Sequence, residues 1–460
     1  MDLTYNTKNT WETLNSAEKD SVFSFCESYK KFLDAAKTER LAVKETVKLA
    51  KENGFCELSE KNSLKPGDKI YFVNRNKSVL LATIGKEDIL KGINFIISHV
   101  DSPRIDIKQN PLYEDCDLSL LKTHYYGGIK KYQWTALPLS LIGTVFLSDG
   151  TELEISIGEN EGDPVFCISD LLIHLADKQM QQKIFEAFKG ETLNIIIGST
   201  PDESSEKDKF KMAILKILNE KYSMTEEDFV SAELEAVPAL KACDVGLDRA
   251  LLGSYAHDDR VCAYTSMRAL FEVSAPEKTS VCLLVDKEEI GSMGSTGMRS
   301  AFFEYAIATI ISKLKGNYSE LMLKETFRNS ACLSADVNGA MDPYYQDPFE
   351  RQNASFCGRG VVITKYTGSR GKYGTSDANA EFVFKIRSLF NREGISWQAA
   401  ELGKTDAGGG GTIAQYVANL DIDVLDCGVA LLSMHAPFEL VSKADVYSAY
   451  KAYRAFYENC

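Results

Sequence analysis

Residues 259–289 of this 460-residue chain read DRVCAYTSMRALFEVSAPEKTSVCLLVDKEE, and this stretch decides the predicted fold. Its first half, DRVCAYTSMRALFEV, predicts a helix, and the apolar run TSVCLLVD that follows predicts a buried strand. The same order of helix and then strand recurs towards the C-terminus, where we predict the strands ACLSADV, SWQAAEL and DVLDCGVALL. Such alternation indicates an α/β layer fold with a mostly parallel sheet.

Two adjacent glutamates, Glu288 and Glu289, follow the strand TSVCLLVD. Like charges repel, so a buried carboxylate pair needs a positive charge beside it. Other metal-binding side chains also follow predicted strands or precede a helix: His99 and Asp101 after INFIIS, Asp336 after ACLSA, His435 after VALLSM, and Asp258 before one helix. Taken singly, each is more often a helix cap or a structural histidine. Because sites form beyond the carboxyl ends of such strands, the whole set favours two divalent metal ions, with zinc as the expected metal.

The composition excludes some classes of partner. The formal net charge is -14 and the pI is about 5.1, which argues against nucleic acid or an anionic membrane as the main partner. The most apolar helical run, AFFEYAIATIISKL, is interrupted by Glu304, and the polar N-terminus resembles no signal peptide, so we expect a cytoplasmic protein. The eleven cysteines form no C-x-x-C pair and are expected to be reduced thiols.

The middle of the chain differs from its two ends. The N-terminal part predicts helix as far as Gly54 and then the strands KIYFVNRN, VLLATIG and INFIISH. After it, LSLIGTVFLSDGTELEISIG predicts a hairpin that turns at Asp149 and Gly150, and residues 169–188 and 209–222 predict two helices. We therefore expect a discontinuous domain of residues 1–104 and 245–460, with residues 105–244 as an insertion.

Four motifs, SHVDSPRID, DKEEIGSMGSTG, SADVNGAMDP and SMHAPFEL, stand in an order that closely resembles the aspartyl aminopeptidase family, which includes the vacuolar aminopeptidase I relatives. HYYGGIKKYQW and LLIHLADK in the insertion also resemble family segments, so the likeness covers nearly the whole chain. The resemblance implies a three-layer αβα zinc-exopeptidase-like catalytic domain with an inserted β-rich dimerisation domain. It also implies two divalent metal ions per subunit, peptide substrates that lose their N-terminal residue, and dimers that assemble into dodecamers.

The resemblance also implies roles for single residues. Glu288 would be the general base, and Asp101 would orient the imidazole of His99. The metal ligands would be His99, Asp258, Glu289, Asp336 and His435, with Asp258 bridging both ions; which of the other ligands serves which ion stays open. His174, which spacing alone would class as a structural histidine, would enter the active site of a neighbouring subunit. Asp406, Gly410 and Thr412 in TDAGGGGTIAQY would contact substrate, and no lysine follows these glycines as a phosphate loop requires.

The sequence departs from the family at two places that bear on specificity. Acid-specific members carry histidines just after the SAD motif, where this chain has Asn338, Gly339 and Asp342. The segment WTALPLS also lacks the Asp-Arg pair that is common in the family. We therefore expect a neutral or broad preference. Two alternatives stay open: a deacylase or carboxypeptidase that holds a substrate carboxylate with Arg370 or Lys372, and a non-catalytic self-assembling scaffold.

Overall fold

The structure is a computed structural model that describes residues 3–460, and these residues form two compact units. The first unit contains residues 3–101, Ala242–Met434 and Phe438–Cys460, and the second contains Ser102–Lys241 and His435–Pro437. Within residues 3–460, no helix is both long enough and apolar enough to cross a membrane.

A mixed β-sheet forms the centre of the first unit. In the described chain it has nine strands, which are, in sheet order and numbered along the chain, β1 (Cys56–Glu57), β2 (Lys69–Asn74), β3 (Ser78–Thr83), β13 (Thr279–Val285), β4 (Ile93–His99), β14 (Ala331–Ser334), β18 (Asp423–Gly428), β16 (Val361–Thr364) and β17 (Trp397–Ala399). The four central strands β13, β4, β14 and β18 run parallel to their neighbours in that group. The predicted parallel core is confirmed, and antiparallel pairs flank it on both sides.

Helices cover both faces of this sheet. All seven residues of β4 are buried, and successive side chains point to opposite faces, so Ile96 packs into one core while Phe95 and Ile97 pack into the other. One core is covered by α2 (Ser16–Ala35), α3 (Glu39–Glu52), α7 (His257–Glu272), α10 (Ala380–Arg392) and α12 (Lys443–Asn459). The other is covered by α8 (Phe302–Lys315), α9 (Glu320–Arg328) and α11 (Ala414–Ala418). A short helix, α1 (Thr10–Thr13), precedes α2. The predicted three-layer αβα fold is confirmed.

A second, smaller sheet of the first unit holds the start of α7. Its strands are, in sheet order, β11 (Cys243–Val245), β12 (Leu251–Ser254), β20 (Glu439–Ser442), β19 (Ala430–Leu432) and β15 (Asn338–Gly339). The chain passes from β12 into α7 within three residues, and the backbone N–H of Asp258 donates to Oε2 of Glu439 at 3.0 Å. The position of Asp258 is therefore set by this sheet.

The second unit is built on an antiparallel sheet. Its strands are, in sheet order, β8 (Glu152–Ile157), β7 (Leu139–Phe146), β10 (Ala232–Pro238), β5 (Arg104–Asp115), β6 (Leu118–Tyr126) and β9 (Ile195–Gly198). The helix α6 (Lys209–Tyr222) packs against β6 and β9. The predicted hairpin is confirmed, with Gly150 at φ 87° in its turn, a conformation that glycine adopts readily.

The predicted helix over residues 169–188 is wrong. The structure has instead a 3₁₀ turn at Ile173–Leu175 and two single-turn helices, α4 (Asp177–Met180) and α5 (Ile184–Ala187). Ile173, Leu175 and Phe185 are 67%, 69% and 62% exposed, so the apolar positions that suggested a helix have no core to pack against among residues 3–460. A short helix without tertiary packing is only marginally stable.

A buried ionic network joins three elements of the first unit. The carboxylate of Asp244 in β11 accepts hydrogen bonds from Lys30 of α2 at 2.8 Å, Lys443 of α12 at 2.7 Å and Arg249 at 2.6 Å. Burial opposes ionisation of Asp244, but these three hydrogen bonds hold the pKa of its carboxyl well below the usual range. The Lys443 side chain is fully buried, so it depends on Asp244 for its compensating charge.

We predict that Asp244→Ala lowers the free energy of unfolding by about 3 kcal/mol, because it leaves the Lys443 ammonium buried without its carboxylate. Urea unfolding followed by circular dichroism measures the change. The matched control is Glu277→Ala, which breaks the exposed pair of Glu277 with Lys86 and should cost less than about 1 kcal/mol. Equal losses in the two variants would contradict the structural role of the network.

Candidate metal centre

The carboxyl ends of three neighbouring parallel strands meet at one edge of the central sheet. In the register of the sheet, His99 at the end of β4 lies opposite Val285 at the end of β13, and Ile97 lies opposite Ser334 at the end of β14. Residues that follow β13 and β14 therefore emerge beside His99. The next strand, β18, can pass Asp336 closely because residue 428 is glycine; a Cβ there would lie 1.8 Å from the Asp336 carbonyl oxygen.

His99 is buried among carboxylates. Its Nε2 lies 3.1 Å from Oδ1 of Asp258 and 3.9 Å from Oδ1 of Asp336. Donor atoms of these three residues all lie within 4.8 Å of one another. Nδ1 faces the backbone oxygen of Asp101 at 3.0 Å, and Nε2 faces the two aspartates. The ring is therefore oriented as in a metal-binding histidine, with an oxygen acceptor behind Nδ1 and Nε2 turned towards the candidate ligands.

Glu288 and Glu289 lie on a turn that one carboxylate holds. Lys287 has φ 68°, and residues Glu288–Ile290 form a single 3₁₀ turn after β13. The two oxygens of Asp101 accept the backbone N–H groups of Glu288 and of Glu289, each at 3.1 Å. The same carboxylate lies 3.4 Å from Nδ1 of His99. Asp101 therefore positions the glutamate turn as well as the imidazole.

The turn brings further donor atoms to His99. Donor atoms of His99, Glu288 and Glu289 lie within 4.8 Å of one another. An oxygen of Asp258 also lies within 4.8 Å of a carboxylate oxygen of Glu289. Asp258 thus lies close to both His99 and Glu289, as a bridging ligand would. One imidazole with several carboxylate oxygens is a donor set that suits zinc and other divalent ions.

The clustered carboxylates at this edge of the sheet favour the binding of a cation. Burial, and then the carboxylates of Asp259, Glu288 and Asp258, raise the pKa of Asp336 well above its usual value, although His99 opposes the shift. The pKa of His99 is also raised: burial disfavours its charged form, but hydrogen bonds to Asp101 and Asp258 outweigh it. Buried carboxylates at this density are costly unless positive charge is present. The side chains therefore fit divalent metal ions.

Two neighbouring residues behave differently from the predicted ligands. His257 is buried, accepts a hydrogen bond from Tyr29 at 2.9 Å and faces the Leu252 backbone oxygen at 3.2 Å, so it is a core histidine whose pKa burial lowers to about 3. Asp259 was not singled out from the sequence. Its Oδ2 accepts the backbone N–H of His99 at 3.4 Å, so it supports the backbone of a predicted ligand.

His435 lies in the short segment that belongs to the second unit. Its Nδ1 lies 2.8 Å from the backbone oxygen of Gly128, so Nε2 is the ring atom that would bind a metal ion. The role of His435 in the metal centre stays a prediction.

The predicted substrate contacts are less uniform. His174 is exposed in the 3₁₀ turn of the second unit, and Asp406 is exposed in a loop of the first. The hydroxyl of Thr412 donates to Oδ1 of Asp426 at 2.8 Å, inside the protein, which argues against a substrate contact by this hydroxyl. Gly410 accepts the N–H of Gly368 at 2.6 Å, so the glycine loop is tied to residues 366–374.

Comparison with known proteins shows that this chain is similar to the members of one protein family. Residues 32–457 match the model of the family described as aminopeptidase I zinc metalloprotease (M18). The chain is 50% identical over 463 residues to the "Probable M18 family aminopeptidase 1" of Clostridium acetobutylicum, covering 100% of this chain and 99% of the relative. The crystal structure of an M18 family aminopeptidase from Thermotoga maritima superposes with a TM-score of 0.96 at 46% identity, covering 99% of this chain and 100% of that one. The structure of the S. cerevisiae mApe1 dodecamer shares the fold, with a TM-score of 0.76 at 19% identity, covering 95% of this chain and 96% of that one.

We predict that Asp101→Asn weakens zinc binding roughly 10–100-fold, because an amide cannot accept both N–H groups of the glutamate turn and still face the His99 ring proton. Competition with a chromogenic zinc chelator measures the affinity. Asp149→Asn, in the exposed hairpin turn, is the control and should bind zinc as the parent chain does. Unchanged affinity in a folded Asp101→Asn protein would show that Asp101 does not position the ligands.

Proposed function

The chain belongs to the aminopeptidase I zinc metalloprotease (M18) family, and on that premise we propose how its residues remove the N-terminal residue of a peptide. It is a zinc-dependent aminopeptidase. The observation that carries the proposed mechanism is the glutamate turn, which Asp101 holds beside His99.

Five side chains are proposed to hold two zinc ions. They are His99, Asp258, Asp336, Glu289 and His435, with Asp258 shared by both ions. When bound, such a pair supplies an activated water and polarises the scissile carbonyl. The support from this chain is the close approach of the first four donors and the orientation of the two histidine rings, whose Nδ1 atoms each face a backbone oxygen.

Glu288 is proposed as the general base. Its carboxylate takes a proton from the attacking water and passes it to the leaving amine. Because its backbone N–H is held by Asp101, the side chain starts from a fixed point next to Glu289 and His99. Adjacent glutamates thereby take different roles: Glu289 binds the cation and Glu288 moves the proton.

We propose a neutral or broad preference for the first residue of the peptide. Residues 336–342, DVNGAMD, contain no positively charged side chain that could bind an acidic substrate. Asn338 is buried, and its Nδ2 donates to Oγ1 of Thr364 at 2.9 Å, so it serves the fold. The family assignment does not favour the deacylase, carboxypeptidase or scaffold alternatives.

We predict that Glu288→Gln lowers kcat roughly 10²–10⁴-fold while zinc content is unchanged, because the amide removes the base but keeps the backbone contact to Asp101. Initial rates on leucyl-, methionyl-, aspartyl-, glutamyl- and lysyl-anilides measure both activity and preference. Leucyl or methionyl substrates should be cleaved faster than the acidic ones, and N-acetylated peptides should not be cleaved. Cleavage of N-acetylated peptides at comparable rates would overturn the aminopeptidase mechanism.

We propose that the second unit pairs two copies of the chain. Large apolar side chains are exposed along one segment of it: Leu171, Leu172, Ile173, Leu175, Met180, Ile184 and Phe185. A continuous exposed apolar segment is typical of a protein interface. A second copy would bury it and, as the family resemblance implies, would receive His174 in its active site. Dimers that assemble into a dodecamer are the proposed final state.

We predict that the double variant Ile173→Asp, Phe185→Asp loses the dimer, because burying two new carboxylates in an apolar interface is unfavourable. Light scattering after size exclusion measures the mass. His174→Ala should keep the assembly and lower activity. A double variant with the mass of the parent assembly would place the subunit contact elsewhere.

We also propose a cytoplasmic location. All eleven cysteines are free thiols in the structure, which suits a reducing compartment. Fractionation of producing cells, with periplasmic and cytoplasmic marker enzymes, tests this location.

A further inference from the structure

A buried arginine lies beside the candidate metal centre. Arg260, near the start of α7, is 1% exposed and is among the largest fully buried side chains of residues 3–460. Burying a guanidinium is costly unless its N–H groups are hydrogen-bonded. Its Nη2 donates to the backbone oxygen of Val100 at 2.8 Å. Val100 lies between His99, a predicted ligand, and Asp101, which holds the glutamate turn. Arg260 therefore contacts the chain at the point that joins these two residues.

Three consecutive residues of α7 contact the chain where β4 ends. Oδ1 of Asp258 lies 3.1 Å from Nε2 of His99. Oδ2 of Asp259 accepts the backbone N–H of His99 at 3.4 Å. Arg260 then donates to the carbonyl of the following residue, Val100. One helix thus contacts the imidazole, the backbone N–H and the next backbone carbonyl, and Arg260 supplies the last of these contacts.

The hydrogen bond from Arg260 fixes the peptide group that joins Val100 to Asp101. On its other side, the Val100 N–H donates to the Val285 oxygen at 2.8 Å, which ties the preceding peptide group to β13. If the peptide group after Val100 rotated, the Asp101 carboxylate would turn away from the two N–H groups of the glutamate turn, which it accepts at 3.1 Å. A charged donor makes a stronger hydrogen bond than a neutral one, so Arg260 opposes this rotation.

We propose that Arg260 is a positioning residue of the metal centre. It fixes the Val100 carbonyl, and through Asp101 it sets the place of the glutamate turn relative to His99. Arg260 itself binds neither zinc nor substrate. The proposal rests on the proposed zinc aminopeptidase function and adds a residue to the support of its ligands and its base.

The charge of Arg260 offers a competing explanation, which differs in sign. On that explanation the guanidinium only neutralises the surrounding carboxylates. A positive charge also repels a divalent ion that binds nearby, so removing it would tighten zinc binding. Positioning predicts weaker binding, because displaced ligands hold the ion less well. We favour positioning because the 2.8 Å hydrogen bond goes to the backbone next to Asp101.

The first test measures zinc affinity by competition with a chromogenic chelator. Arg260→Lys keeps the charge but loses the planar fork of N–H groups, and it should weaken zinc binding roughly threefold to tenfold. Arg260→Met should weaken it roughly 10–100-fold. At saturating zinc, kcat for leucyl-anilide should fall in the same order with little change in KM, because the base is misplaced.

The matched control is Lys443→Met, which also removes a fully buried cation, in this case one that pairs with Asp244. It should lower the stability of the fold and leave zinc affinity as in the parent chain. Should Arg260→Met fail to fold, the comparison of Arg260→Lys with Lys443→Met decides.

A double-mutant cycle tests the path through Asp101. Zinc affinity is measured for Arg260→Lys, for Asp101→Asn and for the variant that carries both. If Arg260 acts through Asp101, Arg260→Lys should weaken zinc binding less than about twofold in the Asp101→Asn background, because coupled residues are not additive.

Each other outcome has a definite meaning. Tighter or unchanged zinc binding in a folded Arg260 variant overturns the proposal, as does full additivity in the cycle. An equal loss of zinc affinity in Lys443→Met also overturns it, since the effect would then follow from any loss of buried charge. A parent chain that binds zinc but does not cleave leucyl-anilide would instead contradict the proposed function, and the zinc affinities would still test Arg260.

Discussion

The carboxylate of Asp101 is the contact on which the candidate site depends. It accepts the backbone N–H groups of Glu288 and Glu289 and lies beside the ring proton of His99, so one side chain joins the end of β4 to the turn after β13. Parallel pairing brings the two strand ends together but leaves the direction of the following turn open. Hydrogen bonds to a charged acceptor are stronger than neutral ones, and here they set that direction.

Negative charge is concentrated where those strands end. Asp258, Asp259 and Asp336 are drawn towards one imidazole, and the raised pKa of Asp336 records the cost of burying them together. Divalent ions remove this cost, so metal binding and the stability of the sheet edge are thermodynamically linked. Another buried charge of the first unit is neutralised by protein side chains. The carboxylate of Asp244 pairs with Lys30 of α2 and Lys443 of α12, so this network serves the fold.

The central part of the fold follows from local sequence, because a strand that is buried on both faces must be apolar throughout and its polar continuation must lie at the sheet edge. INFIISH and TSVCLLVD show both features, so the ligands predicted at their ends could be named without a structure. The contacts that support those side chains could not be predicted from the sequence. The role of Asp259 depends on a backbone contact to His99, and the inward hydroxyl of Thr412 depends on Asp426, which follows it by 14 residues. Residues 169–188 were predicted wrongly for a related reason: helical spacing shows that apolar side chains need a partner, but not whether that partner is in the same chain.

The specificity proposed for this chain follows from where positive charge is absent. Next to the predicted metal ligands, Asn338 is turned towards Thr364 and Gly339 has no side chain, so an acidic first residue would meet no cation from that stretch. The absence of a side chain at Gly339 has a second effect, because it lets Leu402 approach this strand. A larger residue at position 339 would push Leu402 away from this strand.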